Sequence, residues 1–304
     1  MVDRTVETKD GGSVNRNRKT IVTESMTLAA GAAEPALPGR RRSAPSGGSA
    51  AHEVASVGAL LLNAQAVTVR FGGLTAVDAV SATFSAGELV GIIGPNGAGK
   101  TTFFNAISGV IAPTSGALLA GGMDLAGQGP HRYAAHGIAR TFQTPRVFTG
   151  MTVAANVDFG LQFAGRRRPA PPLLQDSASI LALIGLTGMA DLPAADITPS
   201  QQRLLEIGMA LATRPRLLLL DEVAAGLTEA EVENMAQLIR RLQGELQLTV
   251  IWIEHAVTTL LRHVERVIVL HQGRKIADGP PADVVRNAEV IEAYLGDEMA
   301  ETQV

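Results

Sequence analysis

Residues 94–101 read Gly-Pro-Asn-Gly-Ala-Gly-Lys-Thr and follow directly on the apolar run Leu89–Ile93. An apolar strand that leads into a glycine-rich loop ending in Lys-Thr is typical of a loop whose backbone N–H groups surround an anion. A helix that begins near Lys100 would add the positive end of its dipole at the same point. Lys100 would reach the terminal phosphates of a nucleotide, and the Thr101 hydroxyl would bind Mg²⁺. The sequence therefore predicts a phosphate-binding loop at the end of a buried strand.

The composition limits the class of protein. The chain has 304 residues, 46% of them apolar, which is enough for one large domain or two small ones with a buried core. No run approaches the roughly 18 apolar residues of a membrane span, and no secretory signal is evident at the N-terminus. The absence of cysteine excludes disulfides, thiolate metal sites and cysteine nucleophiles. We expect a cytoplasmic protein, and its net charge of -3 gives no electrostatic reason to expect nucleic acid as a partner.

Residue patterns divide the chain into three parts. Residues 1–57 are rich in Gly, Ser, Ala, Pro and Arg and lack apolar periodicity, which predicts a disordered N-terminal extension. Folded structure is expected over residues 58–298, followed by a short tail at 299–304. Strand patterns surround the glycine-rich loop, helical patterns dominate residues 131–213, and strands alternate with helices from Leu217 onward. The alternation predicts an α/β fold with a parallel sheet, and the helical stretch predicts an inserted helical subdomain.

Polar residues follow two of the later apolar runs. Asp221 and Glu222 come directly after Leu217–Leu220, and His255 follows closely on Val250–Ile253. Because ligands bind at the carboxyl ends of parallel strands, Asp221 could hold Mg²⁺ and Glu222 could polarise a water for attack on the terminal phosphate. His255 suits a contact to that phosphate or to the water. Without the phosphate loop, purely structural roles for these residues would be the simpler interpretation.

The order of these features resembles the nucleotide-binding subunit of ABC transporters over about Leu60–Gly296. The resemblance implies a P-loop NTPase core with an N-terminal antiparallel β subdomain and an inserted α-helical subdomain. It also implies that the chain is an ATPase whose cofactors are ATP and Mg²⁺, and that Phe71 stacks on the adenine. The phosphate loop would comprise Gly94, Pro95, Asn96, Gly97, Ala98, Gly99, Lys100, Thr101 and Thr102.

The same resemblance assigns roles to residues outside the loop. Gln143 matches the glutamine that senses magnesium and contacts the membrane subunit, and His255 matches the switch histidine. Glu222 matches the catalytic base. The implied catalytic groups are Lys100, Gln143, Glu222 and His255. The implied metal ligands are Thr101, Gln143 and Asp221.

Four further segments are similar to the branched-chain amino acid uptake ATPases: Arg70–Gly73, Ala139–Gln143, Ala224–Leu227 and Ala293–Gly296. This resemblance implies import of branched-chain amino acids or related small polar solutes, with permease subunits, a second ABC ATPase subunit and a solute-binding protein as partners. The chain would lie on the inner face of the cell membrane. Because other subunits choose the solute, the substrate rests on analogy. Two alternatives are a soluble ABC ATPase of DNA repair or translation and a regulator that does not hydrolyse ATP.

The family's signature sequence, Leu-Ser-Gly-Gly-Gln, falls on Ile197–Gln201, where only the glutamine is unchanged. In the family this segment covers the ATP held by the other subunit, so Thr198, Ser200 and Gln201 are the expected nucleotide contacts. Pro199 removes an N–H, and Ser200 puts a side chain where glycine permits close approach. We expect this face to work poorly and therefore favour an asymmetric heterodimer with a sister ATPase, with a homodimer as the alternative.

Overall fold

The computed structural model describes residues 59–164, 171–254 and 256–301. Three predictions made from the sequence fall on other residues. The extension predicted to be disordered, residues 1–57, lies outside the described residues. His255 and the last three residues of the expected tail also lie outside them. These predictions therefore stay predictions.

An antiparallel sheet opens the described chain. It contains four strands in the spatial order β2-β1-β4-β5. The first two form a hairpin whose turn at Gly72 has a φ of 59°. The strand β4 lies between β1 and β5. The strands are β1 (Leu60–Phe71), β2 (Leu74–Ser85), β4 (Ser115–Ala120) and β5 (Met123–Asp124).

A second sheet forms the centre of the α/β core, with strand order β10-β9-β3-β8-β7-β6. All neighbouring pairs are parallel except β10 with β9, which confirms the predicted parallel sheet. Every residue of β3, β7 and β8 is buried, because these strands lie inside the sheet and are covered on both faces. The strands are β3 (Leu89–Ile93), β6 (Ile138–Arg140), β7 (Leu217–Asp221), β8 (Thr249–Ile253), β9 (Arg266–His271) and β10 (Arg274–Gly279).

Three of the described α-helices lie between β6 and β7, where the sequence predicts an inserted helical subdomain. The strand β6 falls within residues 131–213, which the sequence predicts to be mostly helical. It was not predicted, because three residues are too few to show an alternation of apolar side chains. In the described parts of the chain, no helix has the length and apolarity needed to cross a membrane. The helices are α1 (Lys100–Ile107), α2 (Pro130–Ala135), α3 (Val153–Gln162), α4 (Ser177–Leu183), α5 (Pro199–Ala212), α6 (Glu229–Leu246), α7 (Val257–His263), α8 (Pro281–Val284) and α9 (Ala288–Glu301).

Helix α1 is anchored in a core shared by the two sheets. Phe103 and Phe104 of this helix are fully buried among Phe84 and Leu118 of the antiparallel sheet and Ile268 of the parallel sheet. Moving buried aromatic side chains out of a close-packed core costs free energy, so the start of α1 is held in place at the end of β3. The loop between β3 and α1 thus joins two well-anchored elements.

Candidate nucleotide-binding and hydrolysis site

The loop between β3 and α1 depends on two glycines. Gly94 and Gly99 have φ angles of 150° and 94°, which residues with a side chain rarely adopt. A Cβ at Gly94 would lie 2.0 Å from the Leu270 carbonyl oxygen, and one at Gly99 would lie 2.4 Å from the Ala76 carbonyl oxygen. The loop backbone is therefore packed directly against the backbone of β9 on one side and of β2 on the other. No side chain fits at either position.

Lys100 begins α1 and folds back over the loop. Its side chain is buried, and Nζ donates hydrogen bonds to the carbonyl oxygens of Gly94 and Pro95 at 2.7 and 2.8 Å. The ammonium group is thus fixed at the mouth of the loop, next to the N-terminus of α1. A buried cation at a helix N-terminus suits a phosphate group. Thr101, the predicted metal ligand, is exposed at the same helix start.

The two acids predicted from the sequence lie at the carboxyl edge of the same sheet. Asp221 ends β7 and Glu222 follows it; both are buried. Glu222 has a positive φ of 49°, a strained conformation that is common at functional sites. Its N–H donates to the Ile253 carbonyl oxygen at 3.0 Å. Strand β8 lies between β3 and β7, so the end of β8, which leads into His255, comes between the phosphate loop and the acids.

Gln143 lies in contact with Glu222, the predicted base. Its Nε2 atom donates to Glu222 Oε2 at 2.7 Å, although the two residues are far apart in sequence. The structure therefore places the predicted sensor glutamine on the carboxylate that would activate water. The other carboxylate, Asp221, pairs through Oδ2 with Arg140 at 2.9 Å. Burial raises the pKa of Asp221, and the Arg140 charge opposes that rise.

Two side chains of helix α5 contact the main chain near Glu222 and near Gln143. Arg203 donates to the carbonyl oxygens of Glu222 and Ala225 at 2.9 and 2.8 Å. One turn later, Glu206 Oε1 accepts from the N–H groups of Phe142 and Arg146 at 3.3 and 3.0 Å. The sequence reasoning missed both residues. An acid within the otherwise apolar run Leu204-Leu205-Glu206-Ile207 is the signal that could have found the second one.

A further buried carboxylate holds the loop after the acids. Glu254 Oε1 accepts from the Ala224 N–H at 2.7 Å and from Trp252 Nε1 at 3.0 Å. Burial raises the pKa of Glu254, and these two hydrogen bonds oppose the rise. The loop that starts at Ala224 is thereby tied to the end of β8. This residue too was missed, because the Ala224 N–H that it holds is distant in sequence.

The altered signature forms a complete helix start. Thr198 caps α5: its Oγ1 accepts from the Gln201 N–H, while Gln201 Oε1 accepts from the Thr198 N–H. Pro199 is the first helical residue, where a missing N–H costs nothing. The Ser200 Oγ lies 3.0 Å from Thr198 Oγ1. The polar side chains that were expected to contact nucleotide are therefore engaged with one another in this structure.

Phe71, the expected adenine-stacking residue, ends β1 and is 50% exposed. It pairs with Leu74 across the hairpin turn. The second strand of that hairpin carries Ala76, whose carbonyl oxygen lies against Gly99 of the loop. An exposed ring on the hairpin next to the phosphate loop is available for stacking.

This arrangement of loop, acids and parallel sheet defines the protein as a P-loop nucleotide-binding domain. The family model described as ABC transporter matches residues 77–225. A second model, described as branched-chain amino acid ATP-binding cassette transporter, matches residues 274–300. The first match spans the phosphate loop, Gln143 and both acids.

Curated relatives agree with these matches. The high-affinity branched-chain amino acid transport ATP-binding protein BraF of Pseudomonas aeruginosa is 38% identical over 250 residues, covering 78% of this chain and 98% of BraF. LivG of Escherichia coli, which carries the same description, is 38% identical over 251 residues, covering 78% and 98%. The methionine import ATP-binding protein MetN of Caulobacter vibrioides is 36% identical, covering 70% and 64%. The chain belongs to the ABC transporter ATP-binding family and is an ATPase.

Solved structures of the family share the fold. The ADP conformation of an ATP-binding cassette of an ABC transporter has a TM-score of 0.69 and 28% identity, covering 78% of this chain and 99% of that one. A nucleotide-free cassette has a TM-score of 0.66 with the same identity, covering 77% and 98%. The predicted P-loop core with its antiparallel β subdomain and helical insertion is confirmed. The two alternatives, a soluble repair or translation ATPase and a regulator without hydrolysis, are not favoured.

Titration of Glu206 gives a testable pH dependence. Burial raises its pKa from 4.5 to about 7, so between these values the folded chain keeps a proton that the unfolded chain has lost. The free energy of unfolding should therefore fall as the pH rises from 4.5 through about 7. Glu206→Gln removes this loss while an amide oxygen still accepts both N–H groups. We expect the stability of the variant, relative to wild type, to improve by about 1–3 kcal/mol between pH 5 and pH 8 in urea titrations. The same relative stability at both pH values would contradict this assignment.

Proposed function

We propose that this chain is the motor subunit of an importer for branched-chain amino acids or related small polar solutes. The carrying observation is a phosphate loop and two buried acids at the same sheet edge, in a chain whose residues 274–300 match the branched-chain amino acid cassette model. BraF and LivG, each covered over 98% of its length, support the same solute class. MetN supports uptake of an amino acid with a different side chain, which is why the proposal includes related solutes.

The hydrolysis step follows from the placement of the side chains. The loop N–H groups and Lys100 would hold the β- and γ-phosphates, leaving the terminal phosphorus facing the end of β7. Glu222 would accept the proton of the attacking water, with its carboxylate oriented by Gln143. The strained backbone of Glu222 is held by Arg203, which fixes where that carboxylate points. His255, outside the described residues, stays the predicted contact to the terminal phosphate.

Magnesium fits the oxygen donors present. Thr101 offers a hydroxyl, Asp221 a carboxylate and Gln143 an amide oxygen, and Mg²⁺ prefers a few such oxygens together with phosphate oxygens and water. Bound there with ATP, the ion would neutralise charge on the phosphates. Among the described residues, no group of three or more His, Asp or Glu side chains could hold a metal alone. The site therefore suits an ion that arrives with its nucleotide.

The surface after Gln143 is the proposed contact for the permease subunits. Phe148, Phe159 and Phe163 stack edge to face, with centroids 4.8 and 5.1 Å apart. Phe148 is 43% exposed and Phe163 is 66% exposed. This row of three aromatic side chains, which begins within residues 144–152 and is partly exposed, suits contact with a protein partner. With permeases bound there, the chain would lie on the inner face of the cell membrane, and a solute-binding protein would complete the importer.

The altered signature supports an asymmetric heterodimer with a second ABC ATPase subunit. This chain's phosphate loop and Glu222 would work with an intact signature of the sister subunit. The reciprocal site would use Thr198, Ser200 and Gln201, whose side chains are engaged in capping α5, and would hydrolyse slowly.

Uptake by the source organism tests the proposed function. Deleting the gene should lower uptake of labelled leucine, isoleucine or valine by at least about tenfold, and the wild-type gene should restore it. Lys100→Ala should fail to restore uptake, because the loop loses its fixed cation. Lys275→Ala, which removes a lysine whose Nζ pairs with Asp278 rather than with a loop carbonyl, should restore it fully. Unchanged uptake of all three amino acids after deletion would contradict the proposed solute.

The sensor role of Gln143 predicts uncoupling. In vesicles that contain the complete transporter, Gln143→Ala should lower the number of solute molecules moved per ATP hydrolysed by about fivefold or more. Gln237→Ala changes an exposed glutamine of α6 and should leave this ratio unchanged. If the ratio stays at the wild-type value in Gln143→Ala, the proposed sensor role of Gln143 is wrong.

Asymmetry predicts unequal effects of the two catalytic glutamates. In the purified heterodimer, Glu222→Gln should lower ATPase activity about 100-fold, since the proposed base is lost from the faster site. The corresponding substitution in the sister subunit should lower it by less than about twofold. Equal losses would reject the asymmetric arrangement and favour two equivalent sites.

A further inference from the structure

Arg140, the last residue of β6, donates hydrogen bonds from all three nitrogens of its guanidinium group. Its side chain is only 10% exposed. Nη1 donates to Asn105 Oδ1 and to Ser108 Oγ, both at 2.8 Å. Nη2 donates to Asp221 Oδ2 at 2.9 Å, and Nε donates to the Thr141 carbonyl oxygen at 3.2 Å. The planar guanidinium group thus contacts α1, the end of β7 and the main chain next to Arg140.

Two aromatic rings fix the plane of the same group. The Arg140 Cζ atom lies 5.4 Å from the centroid of the Phe104 ring and 4.5 Å from that of Phe142. Phe104 is fully buried in the core on α1. Contacts of a cation with ring faces are attractive at these distances and strengthen away from water. The orientation of the guanidinium is therefore set by packing as well as by hydrogen bonds.

Arg140 connects three parts of the proposed ATP site. Asn105 and Ser108 lie at the end of α1 and just after it, and α1 is the helix that begins at the phosphate loop. Asp221 is the acid at the end of β7, and Gln143 follows Arg140 three residues later in the chain. A single buried side chain therefore ties the acid to the phosphate-loop helix at the base of the segment that carries Gln143. A lysine could not make these contacts, because its ammonium lacks the planar fork.

We propose that Arg140 is a positioning residue for ATP hydrolysis, holding the Asp221 carboxylate at a fixed place relative to the phosphate-loop helix and so setting the magnesium requirement of the site. The inference rests on the proposed role of Asp221 in the metal shell. Groups that orient a metal-binding side chain commonly change metal affinity or activity by about 10–100-fold when they are removed. In this proposal Arg140 acts through Asp221, with which it pairs at 2.9 Å.

The test uses Arg140→Lys, which keeps the buried positive charge but loses the fork. Steady-state ATPase rates are measured across a magnesium titration, and ATP binding is measured by calorimetry with magnesium and with EDTA. We expect kcat to fall about tenfold or more and the magnesium concentration for half-maximal activity to rise by a similar factor. ATP affinity in EDTA should stay within about twofold of wild type, because the phosphate loop is untouched.

The chain offers a matched control in Arg266. Its guanidinium forms a two-pronged pair with Asp278, with Nε–Oδ1 and Nη2–Oδ2 distances of 2.6 and 2.9 Å, on strands β9 and β10 of the same sheet. Arg266→Lys therefore breaks a similar fork away from the acids and should leave kcat and the magnesium requirement unchanged. Equal effects of the two substitutions, or equal losses of ATP affinity with magnesium and with EDTA in Arg140→Lys, would show a structural role alone and overturn the proposal.

Asp221→Asn separates this inference from the role on which it rests. If the variant hydrolyses ATP with the wild-type magnesium requirement, the metal role of Asp221 is wrong and the proposal for Arg140 falls with it. If Asp221→Asn loses activity while Arg140→Lys behaves like wild type, only the positioning role is wrong. The proposal predicts that adding Arg140→Lys to Asp221→Asn shifts the magnesium requirement no further, because both changes act through the same carboxylate.

Discussion

Close packing of the phosphate loop against two strands is the contact on which the site depends. Gly94 lies against the Leu270 carbonyl of β9, and Gly99 lies against the Ala76 carbonyl of β2. The loop is thus wedged between the parallel sheet and the antiparallel sheet. With α1 anchored by core aromatics, the loop N–H groups and Lys100 are held in place before nucleotide arrives, so binding need not order them.

Two side chains of helix α5 hold the segments that follow β6 and β7. Arg203 holds the carbonyl side of the loop after β7, and Glu206 holds the N–H side of the segment after β6. The helix that starts at the altered signature therefore contacts both the segment of the proposed base, Glu222, and that of Gln143. A rotation of α5 would move both segments together, which gives a physical route between the proposed permease contact and the ATP site.

The parts of the site that are formed by consecutive residues could be predicted from the sequence. The loop at 94–101 and the acids after β7 each follow an apolar run, so their positions at the sheet edge could be predicted. Arg140, Glu206 and Glu254 could not be assigned in this way, because each of them contacts groups that are distant in sequence: Asp221, Phe142 and Ala224 respectively. The strand β6 was missed for a related reason: its three residues form a strand only by pairing with β7.

Calorimetric titration of the purified full chain with Mg-ATP tests the central claim most directly. The account predicts saturable binding with one nucleotide per chain, lost in Lys100→Ala and retained in Lys275→Ala, because only the first removes the cation fixed over the loop. Absence of binding heat in a correctly folded wild-type chain at several temperatures, or equal binding by Lys100→Ala, would contradict it.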